Sequence, residues 1–126
     1  MRAYTVAATA VALGVNPKWV DNVLSHHRLP GVLQERQGIA RRVTPAALLV
    51  LDVGLRLVRS LALPLPRALE TAQQLVAAGE GGIELPGMIS IYLKADVKTL
   101  ADNLTIRLER AVEICPTPRR GRPRRK

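Results

Sequence analysis

Aromatic side chains and cysteine are scarce in this chain of 126 residues. Aromatic residues make up 2% of it and phenylalanine is absent, so the 48% of apolar residues must build a core mainly from leucine, valine, isoleucine and alanine. A core of this kind is typical of packed helices, and we expect a mainly helical domain. The single cysteine, Cys115, excludes an intramolecular disulfide and a multi-cysteine zinc site.

Long hydrophobic runs are also missing. No uninterrupted apolar run approaches the ~18 residues of a membrane span, so we expect no membrane partner. Residues 3–15 follow Arg2 and superficially resemble a secretory signal, but Tyr4, Thr5 and Thr9 interrupt the run. We therefore expect a cytoplasmic protein.

Acidic residues are too few to balance the basic ones. The formal net charge is +9 and the isoelectric point is near 11.0, which favours a polyanionic partner, nucleic acid above all. Residues 119–126 carry six cations and no acid, which leaves +3 on residues 1–118. The pattern predicts a mildly basic folded body with a basic tail that is disordered on its own.

Two short helices are predicted near the amino terminus. Thr5 can cap the first helix and Gly14 can end it, and Asn16-Pro17 is a strong start for a second helix that runs to about His27. The second helix has an apolar face and an opposite polar face, which carries Lys18, Asp21, Asn22 and Ser25. This layout is typical of a helix-turn-helix.

A basic hairpin and an apolar helix come next. The segment 32–43 predicts a β-hairpin that turns at Gln37-Gly38. Thr44-Pro45 predicts the start of a helix that runs to about residue 61 and is apolar around most of its circumference. We expect its polar stripe to pair Asp52 with Arg56, and we expect a partner protomer to cover part of its apolar surface.

The remaining chain predicts three further elements. A helix starts at Leu65-Pro66 and ends before the glycine-rich break at 79–82, a strand covers 88–93, and Asp96 caps a last helix over 97–114. A strand over 106–114 is the alternative for part of that helix. We divide the chain into a DNA-binding domain (1–78), a dimerisation or partner-binding region (79–115) and a basic tail (116–126).

Residues 4–78 resemble a known family. Tyr4-Thr5-Val6, Gly14-Val15-Asn16-Pro17, a two-stranded wing and Thr44-Pro45 follow one another as in the winged-helix domain of MerR-type transcription regulators and their excisionase-like relatives. The resemblance implies a mainly α fold with a small β-hairpin wing, which is a winged helix-turn-helix. It also implies that the second helix enters the major groove of DNA. The spacing of the apolar residues after residue 82 predicts that a helical and strand-containing dimerisation appendage follows the winged helix-turn-helix.

The resemblance, together with the residue chemistry, gives a set of candidate DNA-binding residues. Asparagine pairs well with adenine, serine and lysine reach bases or phosphates, and arginine suits phosphate. Trp19 is expected either against the sugar–phosphate backbone or in the core. Outside the tail the candidates are Thr5, Asn16, Lys18, Trp19, Asn22, Ser25, Arg36, Arg41 and Arg42.

The chain also departs from the family pattern. An arginine and an aromatic pair that are common in the family's second helix are replaced here by residues 20–23, and the wing is one residue longer before Thr44. Asp21 would be repelled by phosphate unless it accepts a hydrogen bond from cytosine or pairs with a base-contacting cation. These departures leave the target sequence open.

The tail resembles an AT-hook at Arg120-Gly121-Arg122-Pro123. Glycine lets the backbone lie deep in a narrow minor groove, and the flanking arginines are attracted by its negative potential. The alternative is an arginine-rich tail that binds nucleic acid without preference for A·T tracts. The tail candidates are Arg119, Arg120, Gly121, Arg122, Pro123, Arg124 and Arg125.

Signatures of enzymes are missing. There is no phosphate-binding Walker loop, no dinucleotide-binding glycine motif and no serine elbow, so we expect no enzyme activity, no cofactor and no metal. The sequence as a whole predicts a homodimeric, nucleoid-associated regulator that binds palindromic double-stranded DNA. Two alternatives are a DNA-binding antitoxin whose residues 83–114 neutralise a cognate toxin and an architectural protein that bends DNA.

Overall fold

Helices form most of the computed structural model, which describes residues 2–34 and 41–114. The helices are α1 (Val6–Leu13), α2 (Pro17–His26), α3 (Pro45–Leu61), α4 (Leu65–Ala78) and α5 (Val97–Ile114), with a 3-10 turn at Gly79–Gly81. The strands are β1 (Tyr4–Thr5), β2 (Val32–Leu33), β3 (Arg42–Val43), β4 (Ile83–Leu85) and β5 (Ile91–Leu93). The expected mainly α class is confirmed. None of the described helices has the length and apolar character needed to cross a membrane.

Side-chain caps account for the starts of α1, α2 and α3. The Ala8 amide donates to Thr5 Oγ1 at 3.0 Å, the Lys18 amide to Asn16 Oδ1 at 2.8 Å, and the Ala47 amide to Thr44 Oγ1 at 3.4 Å. Each cap satisfies an amide that would otherwise lack a partner in the first helical turn. These three helix starts were predicted from the sequence because a cap and its partner lie within three residues of each other.

A three-stranded antiparallel sheet connects the start of the chain to the predicted hairpin. Strand β3 lies between β1 and β2, and Val43 is opposite both Tyr4 and Val32. The Thr44 amide donates to the Gly31 carbonyl at 3.0 Å, which closes the base of the hairpin. The predicted turn at Gln37-Gly38 lies outside the described residues.

Helix α3 is the centre of the core. Helix α4 packs along it and α5 lies against it, so residues 47–55 of α3 are all buried within a single chain. Gly54 permits a close approach to α4, since a Cβ atom there would lie 2.9 Å from Leu69 Cδ2. Our inference that α3 needs a partner protomer to cover its apolar surface was therefore wrong, because α4 and α5 provide that cover.

Helix α5 packs against α1 and joins the carboxy-terminal half to the same core. Its buried residues Leu104, Leu108 and Ala111 lie at helical spacing and belong to one cluster with the residues of α1 and α3. The alternative of a strand over 106–114 is not adopted, because the helix continues to residue 114. The core is thus continuous across the glycine-rich break.

Asp96 caps α5 as expected. Its carboxylate accepts from the Thr99 amide at 3.1 Å and from the Thr99 hydroxyl at 2.8 Å. The backbone hydrogen bond from Thr99, then the side-chain one, lower the pKa of Asp96, and the charges of Lys98 and Lys94 act in the same direction.

The second sheet is a β4–β5 hairpin. The predicted strand over 88–93 is shorter in the structure, where only 91–93 form β5, and it pairs antiparallel with β4. Strand β4 was not predicted, because three residues directly after a glycine-rich turn carry too short a pattern to identify.

Candidate nucleic-acid interface

The polar face of α2 is open to solvent. Lys18, Asn22 and Ser25 are exposed at helical spacing, whereas Val20 and Val23 on the other side are buried in the core. Proline at the first helical position and the Asn16 cap fix where the helix begins and therefore which residues face outward. The structure thus places these three candidates together on one accessible surface.

Hydrogen bonds within α2 occupy part of this face. The Ser25 hydroxyl donates to the Asp21 carbonyl at 2.8 Å, and His26 Nδ1 lies 2.8 Å from the Asn22 carbonyl oxygen. Within residues 2–34 and 41–114, the side chains of Lys18 and Asn22 have no such partner. Their donors and acceptors are available to a ligand, and the Ser25 oxygen is available as an acceptor.

An ion pair links α2 to the hairpin. Arg41 Nη1 lies 3.4 Å from Asp21 Oδ1, and the two side chains are 25% and 55% exposed respectively. Asp21 is therefore paired with a cation that the sequence assigned to phosphate binding. Exposed pairs of this kind contribute little to stability, so the main effect is to neutralise an acid in the middle of a basic surface.

A groove of about 620 Å³ lies between the carboxy-terminal end of α2 and the hairpin. Residues 24–29 line one side of it, and Val32, Gln34 and Arg41 line the other. Arg28 is exposed in this wall and was not among the predicted candidates. Arg28 is a basic residue two positions after the end of α2, and this position is the signal by which the sequence could have identified it as a candidate.

Three of the predicted residues also support the fold. Trp19 is half-buried and packs against the core, and side-chain oxygens of Thr5 and Asn16 accept the capping hydrogen bonds of α1 and α2. Arg42 is half-buried in β3 and forms no ion pair within the described part of the chain. Arg36 and the tail candidates 119–125 lie outside the described residues.

Charge is distributed unevenly between the two halves of the body. Counting lysine, arginine, aspartate and glutamate, residues 1–44 carry +4, residues 45–114 carry −1 and residues 115–126 carry +6. The excess on the body therefore belongs to the segment that contains α2 and the hairpin. Such an excess attracts a polyanion to that side.

A buried carboxylate, Asp52, takes part in a network of hydrogen bonds that connects α1, α3 and α5. Asp52 of α3, whose side chain is 6% exposed, accepts from Arg56 Nε at 3.3 Å and from Arg107 Nη2 at 3.2 Å. Arg107 of α5 also donates through Nη1 to the Ala12 carbonyl at 2.9 Å, near the end of α1. The predicted Asp52–Arg56 pair is confirmed, whereas Arg107 was not predicted.

In the described ranges there is no cluster of three or more histidine, cysteine, aspartate or glutamate side chains that could hold a metal ion. Comparison of the chain with models of known families, with curated proteins and with solved structures found no match. The function is therefore inferred from the chain's own surface.

Proposed function

We propose that this protein is a sequence-specific DNA-binding transcription regulator with a winged helix-turn-helix, in which α2 enters the major groove and the β2–β3 hairpin is the wing. The observation that supports this most is the open face of Lys18, Asn22 and Ser25 beside the basic hairpin. The width of the major groove matches one α-helix.

The chemistry of the face assigns a role to each side chain. The Asn22 amide presents a donor and an acceptor that match the N6 and N7 edge of adenine. Lys18 donates to guanine O6 and N7 or to a phosphate oxygen, and Ser25 accepts from a base edge. Arg28 and Arg42 have no ion-pair partner in residues 2–34 and 41–114, and they supply phosphate contacts from just after α2 and from β3 respectively.

The tail would add a second contact. In this proposal Arg120-Gly121-Arg122-Pro123 occupies the minor groove next to the site that α2 binds. Contacts to both grooves raise the affinity through additional counterion release.

The first experiment tests whether α2 reads sequence. Bound fragments are selected from random genomic DNA, and fluorescence anisotropy then compares one selected duplex with a scrambled duplex. The variant Lys18→Ala/Asn22→Ala should lose discrimination by roughly 10-fold or more, since a bidentate base contact is worth about 1–3 kcal/mol. Its matched control is Lys98→Ala/Asn103→Ala, which removes the same two residue types from exposed positions on α5. If the α2 variant keeps the preference, α2 does not read the DNA.

The second experiment tests the tail. Deletion of residues 117–126 should flatten the slope of log affinity against log salt by about 0.9 for each phosphate that the tail neutralises in the wild type. An unchanged slope would show that the tail does not touch DNA, and equal reductions in affinity for A·T-rich and G·C-rich duplexes would show that it has no A·T preference.

The antitoxin alternative needs residues 83–114 to be available to another protein. The apolar residues Leu104, Leu108 and Ala111 of α5 are covered by α1 and α3, so the β4–β5 hairpin is the main apolar surface that this range leaves open to a partner.

A further inference from the structure

The β4–β5 hairpin exposes an unusual amount of apolar surface. Met88, Ile89, Ile91 and Tyr92 are 106%, 80%, 49% and 61% exposed, respectively. Within the described residues these four belong to strand β5 and the turn before it, and they are more exposed than is usual for large apolar side chains.

Within the described part of the chain, this hairpin is held at its base, where the Tyr92 hydroxyl donates to the Gly81 carbonyl, and its outer edges are unpaired. Ile83 and Leu93 at its base pack against the core, but no described strand pairs with the outer edge of β5 or of β4. A two-stranded hairpin with strands this short is marginal in water unless something packs on it or extends it. The tail, with six cations in its last eight residues, is a poor match for an apolar surface.

We propose that a second copy of this chain covers the hairpin, with the β5 strands of the two copies pairing antiparallel about a two-fold axis at Tyr92. This register places Ile91 opposite Leu93 of the second copy and Ser90 opposite Lys94 of the second copy. The two hairpins then form one four-stranded sheet in which apolar side chains face apolar side chains.

Charge selects the β5 edge over the β4 edge. A two-fold axis at the centre of β4 would place Glu84 directly opposite Glu84 of the second copy, and like charges in this position are destabilising. The β5 pairing brings no two like charges opposite each other between residues 90 and 94. It also places Tyr92, whose hydroxyl donates to the Gly81 carbonyl of its own chain, opposite Tyr92 of the second copy.

The area is sufficient for a dimer when the strand pairing is included. The four exposed side chains amount to about three fully accessible ones, on the order of 500 Å² per copy. A standard interface buries about 800 Å² per partner, and the backbone and flanking residues of the paired edges supply the difference. A two-fold interface uses the same patch on both copies, which a single exposed edge satisfies.

The same arrangement gives the tip of the hairpin a place to pack. Because the strands run in opposite directions, the tip of each hairpin lies over the body of the other copy, and Ile89 lies opposite Ala95 of the second copy. Ala95 is half-buried and precedes the Asp96 cap of α5. The contact therefore extends the apolar layer of Leu93 and Ala95 that packs against the core cluster.

This dimer does not depend on DNA binding, so it is tested without DNA. Sedimentation equilibrium of the wild-type chain at micromolar concentrations should give twice the chain mass of 13.7 kDa. The variant Ile91→Lys should sediment as a monomer, whereas the control Ile106→Lys, at an equally exposed position on α5 (50%), should remain a dimer. A monomeric wild type, a dimeric Ile91→Lys variant or dissociation by Ile106→Lys alone would each overturn the proposal.

A crosslink tests the register without disturbing the apolar contact. In a Cys115→Ser background, Ser90→Cys/Lys94→Cys should form a covalent dimer on mild oxidation, since residues opposite each other in an antiparallel pair lie within disulfide reach. Both positions are exposed, so the fold should tolerate the changes. Ser90→Cys alone should stay monomeric under denaturing, non-reducing conditions. A covalent dimer from the single variant, or none from the double variant, would overturn the proposed pairing.

Discussion

Asp21 is the only acid that the structure describes on α2, and removing its charge should strengthen DNA binding. In the free protein Asp21 holds Arg41 at 3.4 Å. The variant Asp21→Asn keeps the size of the side chain but releases Arg41 for a phosphate. Because the pair is exposed, the variant should cost less than about 1 kcal/mol of stability.

The magnitude follows from counterion release. One additional neutralised phosphate steepens the slope of log affinity against log salt by about 0.9, which at about 0.1 M salt corresponds to roughly 8-fold tighter binding. Between about 50 and 200 mM salt, the advantage of the variant should shrink by about 3.5-fold. Removal of the acid's repulsion from phosphate adds to the effect at low salt.

Fluorescence anisotropy with one duplex at several salt concentrations measures both quantities. Asp102→Asn, which removes an exposed acid from α5, controls for the change in net charge. Equal increases in affinity from the two variants would show a general charge effect. Weaker binding or an unchanged slope for Asp21→Asn would refute the assignment of the hairpin and α2 to one DNA-binding surface.

Three further changes test the framework behind this surface by chemical denaturation. Arg107→Ala should lower the free energy of unfolding by about 2 kcal/mol, since it removes a charged hydrogen bond from buried Asp52. A decrease no larger than that expected for an exposed ion pair would contradict this role of Arg107. Gly31→Ala should cost at least about 2 kcal/mol, because φ is +90° and the new Cβ would lie 2.3 Å from Thr44 Oγ1; a stability equal to that of the wild type would contradict this. Thr9→Val should leave the free energy of unfolding unchanged or raise it by about 1 kcal/mol, because the fully buried Thr9 hydroxyl has no hydrogen-bond partner among the described residues. A clear decrease in stability would show that the hydroxyl has a partner.

The helix starts could be predicted from the sequence because their signals are local. Thr5, Asn16, Thr44 and Asp96 each cap the helix expected after them, and the end of α3 is at residue 61 as expected. For the four caps, the signal and the structure it causes lie within one helical turn.

Long-range contacts could not be predicted in this way. Asp21 and Arg41 are 20 residues apart, and Asp52 and Arg107 are 55 residues apart, so both pairs depend on how the helices and the hairpin pack. The same limitation explains the error over α3, whose apolar surface indicated that cover was needed but not that α4 and α5 would supply it.

For the candidate site, the sequence predicted which residues of α2 face outward but not what they contact. The apolar spacing of Val20 and Val23 determines the exposed side of the helix, and the structure agrees with it. The pairing of Asp21 with Arg41 and the place of Arg28 in the groove wall required the three-dimensional arrangement.

The hydrogen bond from Thr44 to Gly31, with the pairing of Val32 and Val43, closes the base of the β2–β3 hairpin independently of the residues beyond it. Insertions or exchanges between Gln34 and Arg41 therefore leave the positions of α2 and α3 unchanged, since lengthening a closed loop costs little. A different segment can therefore be grafted between Gln34 and Arg41 without rebuilding the scaffold.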